Sequence, residues 1–151
     1  MIRWISARSI VAPPATVFRA VADPEEFQKA IPDGSGVEYL TAQRSGVGTR
    51  FRTTRLNRGK PMAFEQEVTD LVPGERVRML NVTHGTPWDS TFTIARDGGR
   101  SVLTLTMDAR PVALVQKIMM RLLRRTIQKA LERDMDAVKA HCERDARTAQ
   151  T

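Results

Sequence analysis

From Pro111 to about Glu143 the chain runs for more than thirty residues without a second proline or a single glycine, the two residues that most readily break a helix. Its apolar side chains Val115, Ile118, Met119, Leu122, Leu123, Ile127, Ala130, Leu131, Met135 and Val138 recur at steps of three and four, so they share one side of a helix. Lys117, Arg121, Arg124, Arg125, Gln128 and Glu132 fall on the other side. At about 1.5 Å per residue such a helix spans roughly 45 Å, and its apolar stripe needs a cover of similar length. The rest of the chain is expected to supply it.

That cover begins with a strand, Arg3 to Ala12, carrying Trp4, Ile5, Ile10 and Val11 and ending at Pro13-Pro14. Pro14 suits a first helical residue, and Val17, Phe18, Val21 and Ala22 give a short helix its apolar face until Asp23-Pro24 stops it. Asp23 can cap a second short helix, Pro24 to Ala30, with Phe27 turned inward. After the turn Ile31 to Gly36 the period changes to two, which predicts strands at about 37–43, 48–56, 62–71, 76–83, 89–95 and 102–108. The separators, among them Asn57 to Pro61, Pro73-Gly74, His84 to Pro87 and Asp97-Gly98-Gly99, are short enough for hairpins. Six strands so joined make an antiparallel meander, and the first strand makes seven. Phe51, Thr53, Met62, Phe64, Gln66, Val68, Val77, Met79, Trp88, Ser90, Phe92, Ile94, Leu103, Leu105 and Met107 fall on one face, while Arg50, Arg52, Glu65, Glu67 and Arg78 fall on the other. One apolar sheet face and one apolar helix stripe must meet. The predicted class is α+β, a curved seven-stranded antiparallel sheet wrapped around a C-terminal helix.

A chain of 151 residues with 41% hydrophobic and 27% charged residues suits one domain, taken as 1–145, with 146–151 as a flexible tail. No apolar run reaches the roughly 18 residues of a membrane span, and the first residues lack the features of a signal peptide, so a cytoplasmic location is expected. Cys142, the single cysteine, excludes an internal disulfide and a cysteine-based metal site. The net charge of +7 is concentrated. Arg44, Arg50, Arg52, Arg55, Arg58 and Lys60 lie between Thr41 and Met62 with no acidic residue, and the long helix adds six cations between Lys117 and Arg133 against Glu132. Such a surface attracts an anionic partner or the headgroups of a membrane surface. The helix lacks the aromatic interleaving of single-strand binders, which argues against nucleic acid. Monomer and homodimer both remain open.

The order of strand, two short helices, six-strand meander and long terminal helix resembles the helix-grip fold of the START-like (SRPBCC) superfamily, which includes polyketide cyclases, lipid-transfer proteins and allergen-type ligand carriers. Ile10 to Phe18, followed by Ala22-Asp23-Pro24, is similar to that family's entry of strand, Ala-Pro, helix and Asp-Pro. Val68-Thr69 with Pro73-Gly74-Glu75-Arg76-Val77 resembles its hairpin between the fourth and fifth strands. Many members place tryptophans in the second short helix, where this chain has Phe27 and then Lys29 to Pro32. The resemblance implies a cavity between sheet and helix and leaves its chemistry open.

In a cavity of that kind the lining residues are expected to be Phe51, Met62, Phe64, Met79, Trp88, Phe92, Met107, Met119 and Leu123, with Gln66 and Ser90 as the polar groups that orient a ligand. Several methionines suit ligands of varied shape. Arg58, Lys60 and Arg110 would ring the mouth together with His84. His84 is the candidate general acid or base, with Asp89 or Asp108 as its possible orienting partner. Glu65 and Glu67 point outward by alternation, toward cross-strand arginines. No nucleophile–base motif, phosphate loop or metal-spaced cluster is present, so no cofactor or metal is expected. Three functions follow: a carrier or sensor of a small hydrophobic molecule, such as a lipid, sterol or polyketide; a polyketide aromatase/cyclase-like enzyme using His84; and a basic surface module for an anionic partner.

Overall fold

A computed structural model describes residues 1–150. In chain order the elements are β1 (Ile2–Ile10), α1 (Pro14–Ala22), α2 (Pro24–Ala30), β2 (Gly34–Tyr39), β3 (Arg50–Asn57), β4 (Lys60–Val72), β5 (Arg76–Thr83), β6 (Thr86–Asp97), β7 (Arg100–Ala109) and α3 (Leu114–Ala149). The seven strands form one antiparallel sheet in the order β1-β7-β6-β5-β4-β3-β2, a meander in which the first strand closes against the last. This is the helix-grip α+β architecture expected from the pattern.

Local chemistry accounts for most boundaries. Pro13 and Pro14 open α1, and Asp23 accepts a hydrogen bond from the Glu25 amide at 3.0 Å to cap α2, with Pro24 as its first residue. The turns Arg58-Gly59 and His84-Gly85 are two-residue hairpins closed by the pairs Asn57–Lys60 and Thr83–Thr86, with φ of 53° and 79° in the first and 51° and 77° in the second. Both residues of each turn are left-handed, the type I′ geometry that matches strand twist. β2 lies earlier than the expected 37–43 because residues after Tyr39 satisfy themselves locally. The Gln43 amide donates to the carbonyls of Ser45 (2.6 Å) and Val47 (2.9 Å), and Thr41 Oγ1 donates to Gln43 O (2.7 Å). Gly34 has a different reason to be glycine: a Cβ there would lie 2.4 Å from the Gln28 carbonyl oxygen.

The inner face of the sheet buries Phe51, Thr53, Val68, Val77, Met79, Phe92, Ile94, Leu103 and Leu105. Its outer face is a ladder of ion pairs: Arg52 with Glu38 and Glu65, Arg76 with Asp70, Arg78 with Asp89, and Arg3 with Asp108. Glu65 and Glu67 do face outward toward Arg50 and Arg52.

α3 departs most from expectation. It starts at Leu114 and continues to Ala149, burying Ala146, where a tail was expected from 146; Thr151 lies outside the described residues. Its buried series is Met120, Leu131, Met135, Val138, Cys142 and Ala146. The first part of the expected stripe, Val115, Ile118, Met119, Leu122 and Leu123, is 42–74% exposed. The helix lies across edge strand β1 and helices α1 and α2; its C-terminal half is covered, and ahead of Leu131 Met120 is its one buried residue. Trp4 marks the changeover: it is 1% exposed, stacks on Trp88 at 5.6 Å and donates from Nε1 to the Arg124 carbonyl at 3.1 Å. The Arg124 guanidinium sits 5.9 Å over the Trp4 ring. The face expected to be solvated therefore lies partly along β1, where Gln128 donates to Ile5 O, Lys139 to Ser9 O, and Arg8 pairs with both Glu132 and Asp136.

Candidate functional site

Between the inner sheet face and the middle of α3 lies a cavity of about 710 Å³, large enough for a drug-sized or lipid-sized molecule. Strand register sets rows across the inner sheet face, and the floor is formed by Phe51, Gln66, Asn81, Met79, Ser90, Met107, Phe92 and Leu105 within them. One row runs Phe51, Gln66, Asn81, Trp88; the next runs Val68, Met79, Ser90, Met107; a third runs Val77, Phe92, Leu105. Inward parity on five strands thus sets two polar patches, Gln66 beside Asn81 and Ser90 beside Met79, into a floor of phenylalanine, methionine and leucine. Asn81 Oδ1 accepts from Thr83 Oγ1 at 3.1 Å, which leaves its amide N–H groups for the cavity.

Eight of the residues expected to bind a ligand line this cavity: Phe51, Met62, Phe64, Gln66, Met79, Ser90, Phe92 and Met107. Trp88 lines a smaller adjoining pocket of about 220 Å³ together with Phe64, Asn81, Thr83, Met107 and Ile127. Met119 and Leu123 do not line it. They lie on the exposed first half of α3, because the wall is made one to two turns later by Thr126, Ile127, Ala130 and Leu131. α1 and α2 close the far side with Val21, Pro24, Phe27 and Gln28.

The expected mouth is also displaced. Arg58, Lys60, Arg110 and His84 are exposed and outside the cavity wall: Arg58 and His84 sit in the I′ turns, Lys60 opens β4 and Arg110 follows the end of β7. The exposed lining residues are Asn57, Thr126, Lys129, Ala130 and Arg133, which set the rim between the base of the β3–β4 hairpin and the middle of α3. His84 serves the backbone: it takes the left-handed first position of its turn, and its carbonyl accepts from Gln116 Nε2 at 3.0 Å. Histidine is among the residues that tolerate this conformation better than most. Gln116 Oε1 in turn accepts from the Val112 and Ala113 amides, capping the start of α3. Neither expected partner of His84 is available to it, because Asp89 is held by Arg78 and Asp108 by Arg3 on the outer face. The Arg3 hydrogen bonds hold the Asp108 carboxyl below its ordinary pKa.

A charged cluster in the wall was not anticipated. Arg55 Nη1 and Nη2 engage both oxygens of Asp134 at 2.9 and 2.8 Å, while Nε and Nη2 reach Asp33 Oδ1 at 3.1 and 2.6 Å. Burial works against the Arg55 charge, but Asp134 and Asp33 outweigh it and push its pKa up. Arg133 Nη2 stands 3.6 Å from Asp33 Oδ2. This fork ties β3 to the α2–β2 turn and to α3 across the cavity, so the helix is gripped by charged groups on this side as well as along β1. Parity held the signal: Arg55 follows Phe51 and Thr53 at inward positions, as Asn81 follows Val77 and Met79. A second unanticipated group is Gln28, which is 8% exposed, lines the cavity and has no partner for Oε1 among the described residues. A buried amide oxygen of this kind calls for a donor.

His141 lies inside α3, two turns before its end. Its Nε2 is 3.5 Å from both Glu26 Oε2 and Asp145 Oδ2, forming the one His/Cys/Asp/Glu group compact enough to hold a metal among the described residues. Lys29 stands 3.4 Å from Glu26 and Arg19 stands 3.9 Å from Asp145, so the carboxylates already have cations beside them. The group joins α1, α2 and the end of α3 and does not line the cavity.

Residues 1–143 match the model of the polyketide cyclase / dehydrase and lipid transport family. The chain belongs to this family. No curated protein matches the sequence. Among solved structures, it is similar to TTHA0849 from Thermus thermophilus, with a TM-score of 0.73 at 20% identity over 99% of this chain and 100% of that one. It is similar to CV1439 from Chromobacterium violaceum, with a TM-score of 0.71 at 23% identity over 95% and 99% of the two chains. The di-domain ARO/CYC BexL from the BE-7585A biosynthetic pathway gives a TM-score of 0.79 at 17% identity, with 95% of this chain covering 47% of that one. At these identities the likeness is one of fold.

Proposed function

We propose that this family member binds one small, mainly apolar molecule with a hydroxyl or similar donor group in the cavity between sheet and α3, as a carrier or sensor. The observation that carries the reading is the composition of the 710 Å³ cavity: an apolar floor interrupted by Gln66, Asn81 and Ser90 and closed by Gln28 with its unpartnered oxygen. Apolar burial supplies affinity, and the few polar groups select orientation. Lipids, sterols and polyketide-like ring systems all fit that description. The cavity's titratable lining residues are Asp33, Arg55, Lys129, Arg133 and Asp134, and Arg55 links the two carboxylates in ion pairs. His84, the candidate proton carrier, stands outside, which favours binding over cyclase-type proton transfer.

Native mass spectrometry of the freshly purified protein, followed by denaturation and identification of released molecules, tests the reading directly. A single stoichiometric organic molecule is the expected result. A parallel titration with 1-anilinonaphthalene-8-sulfonate compares the native chain with Ser90→Phe, which fills the floor; uptake is expected to weaken about tenfold or more. Equal uptake by both, with nothing released from the native protein, sinks the cavity reading. Demonstrated turnover of a β-keto substrate that survives in wild type and collapses in His84→Ala would instead establish the enzyme.

A further inference from the structure

The cavity leaves the first half of α3 unused, and that segment has a composition of its own. Leu114, Val115, Ile118, Met119, Leu122 and Leu123 are each 42–74% exposed along three turns. A contiguous apolar stripe of this length is more than the scattered single exposures normal for a soluble surface. Beside it run Lys117, Arg121 and Arg125 at four-residue steps, with Lys129 one turn further. None of these four has a carboxylate partner among the described residues. Residues 111–131 contain no acidic residue at all, and the flanking Asp108 and Glu132 are held by Arg3 and Arg8. The face is therefore apolar and uncompensated in positive charge along the same three turns.

We infer that this half of α3 is a docking surface for an anionic lipid bilayer. A helix lying in the plane of a membrane needs apolar side chains that enter the acyl boundary and cations at headgroup level. Both are present side by side. The helix is long, its C-terminal half is anchored to the protein body, and among the described residues no helix is long and apolar enough to cross the bilayer. A second copy of the chain fits less well. Pairing the stripe with itself across a two-fold axis would bring Lys117, Arg121 and Arg125 of both copies together with no carboxylate to separate them. A polyanion such as RNA would use the cations and leave the leucines in water. The surface stands independently of the cavity reading, although the stripe ends one turn before the rim residues Thr126 and Lys129.

Flotation of the full chain with vesicles decides it. One set is phosphatidylcholine alone, the other phosphatidylcholine with a minority of phosphatidylserine. Binding is expected to be about tenfold or more stronger to the anionic set, and to fall as salt rises. Two variants separate the contributions. Ile118→Ser/Leu122→Ser removes apolar insertion, and Arg121→Gln/Arg125→Gln removes charge; each is expected to lose most of the binding while keeping the wild-type melting temperature, because all four side chains are exposed. Absence of vesicle binding by the native chain overturns the proposal. So does retention of full binding by Ile118→Ser/Leu122→Ser, which would mark a generic polyanion site. A concentration-dependent dimer abolished by that same variant would assign the stripe to a second copy and equally overturn it. Cavity occupancy measured on the same samples is a separate readout, so failure of one reading leaves the other intact.

Discussion

The two halves of α3 are built from similar residues and meet opposite fates. From Leu131 to Ala146 the side chains facing the body are 0–8% exposed, whereas from Leu114 to Leu123 most apolar side chains are 42–74% exposed. Met135 is 1% exposed and Met119 is 51% exposed, though both sit in uninterrupted helix with apolar neighbours three and four residues away. Periodicity therefore states that a helix has an apolar side, and does not state how far along the helix the cover extends. The cover ends where Trp4 docks on the Arg124 carbonyl.

Substituting the same residue in each half is the strongest way to break the comparison. Met135→Ala is expected to destabilise by about 2–5 kcal/mol, through lost burial and a residual void. Met119→Ala should lie within about 0.5 kcal/mol of the native chain. Urea unfolding measures both, and similar costs would show that the first half is covered in solution. Next in size is Arg55→Leu, which removes the cation shared by Asp33 and Asp134 and leaves Asp33 only the longer contact with Arg133. With all three side chains 15–25% exposed, a cost of about 1–3 kcal/mol is expected. Arg55→Lys should recover only part of it, because an ammonium cannot span both carboxylates in a fork.

Acid titration sharpens the boundary between the halves, where Arg8 reaches Glu132. Hydrogen bonding to Arg8 lowers the Glu132 pKa in the folded state, against the opposing effect of burial, and Arg3 does the same for Asp108. A depressed folded value means the unfolded chain binds the proton more readily. The stabilising contribution is thus complete above the ordinary carboxylate range near about 4 and is lost as pH falls through the lower folded values. Glu132→Gln is expected to flatten the loss of stability below about pH 4, and an unchanged acid profile would detach the helix from β1 at that point. The smallest effect is chemical. Burial pushes the Cys142 thiol up to about 12, and the residue is 0% exposed, so a thiol reagent should label it only as fast as the C-terminal half opens.

The fold was legible because its signals are local and repeated. Pro13-Pro14 opens α1 and Asp23-Pro24 opens α2, turn residues divide the meander, and alternation places the apolar sheet face correctly on β3 to β7. Alternation also found most of the cavity floor, since a residue's inward parity is the same whether its neighbour is core or empty space. What was not legible depended on distances between elements. Arg55 was grouped with a basic run because nothing local announces that Asp33 and Asp134 converge on it from 22 and 79 residues away. His84 looked chemical because histidine is rare here, yet its place is set by a left-handed turn. Nothing in the sequence marks Gln28, because an unpartnered oxygen is defined only by its folded surroundings.

Gln116 gives the exposed half of α3 its second support. Its side chain bonds the amides of Val112 and Ala113 and the carbonyl of His84, while Trp4 bonds the Arg124 carbonyl, so the segment between is held at its ends and, along its length, by the buried Met120. Such a span is a separate unit of opening. In hydrogen exchange the amides of residues 118–123 should trade their protons through a local event much cheaper than global unfolding, while those of residues 131–142 wait for the whole domain to open. Gln116→Ala should release the near end of the span and speed the first set alone.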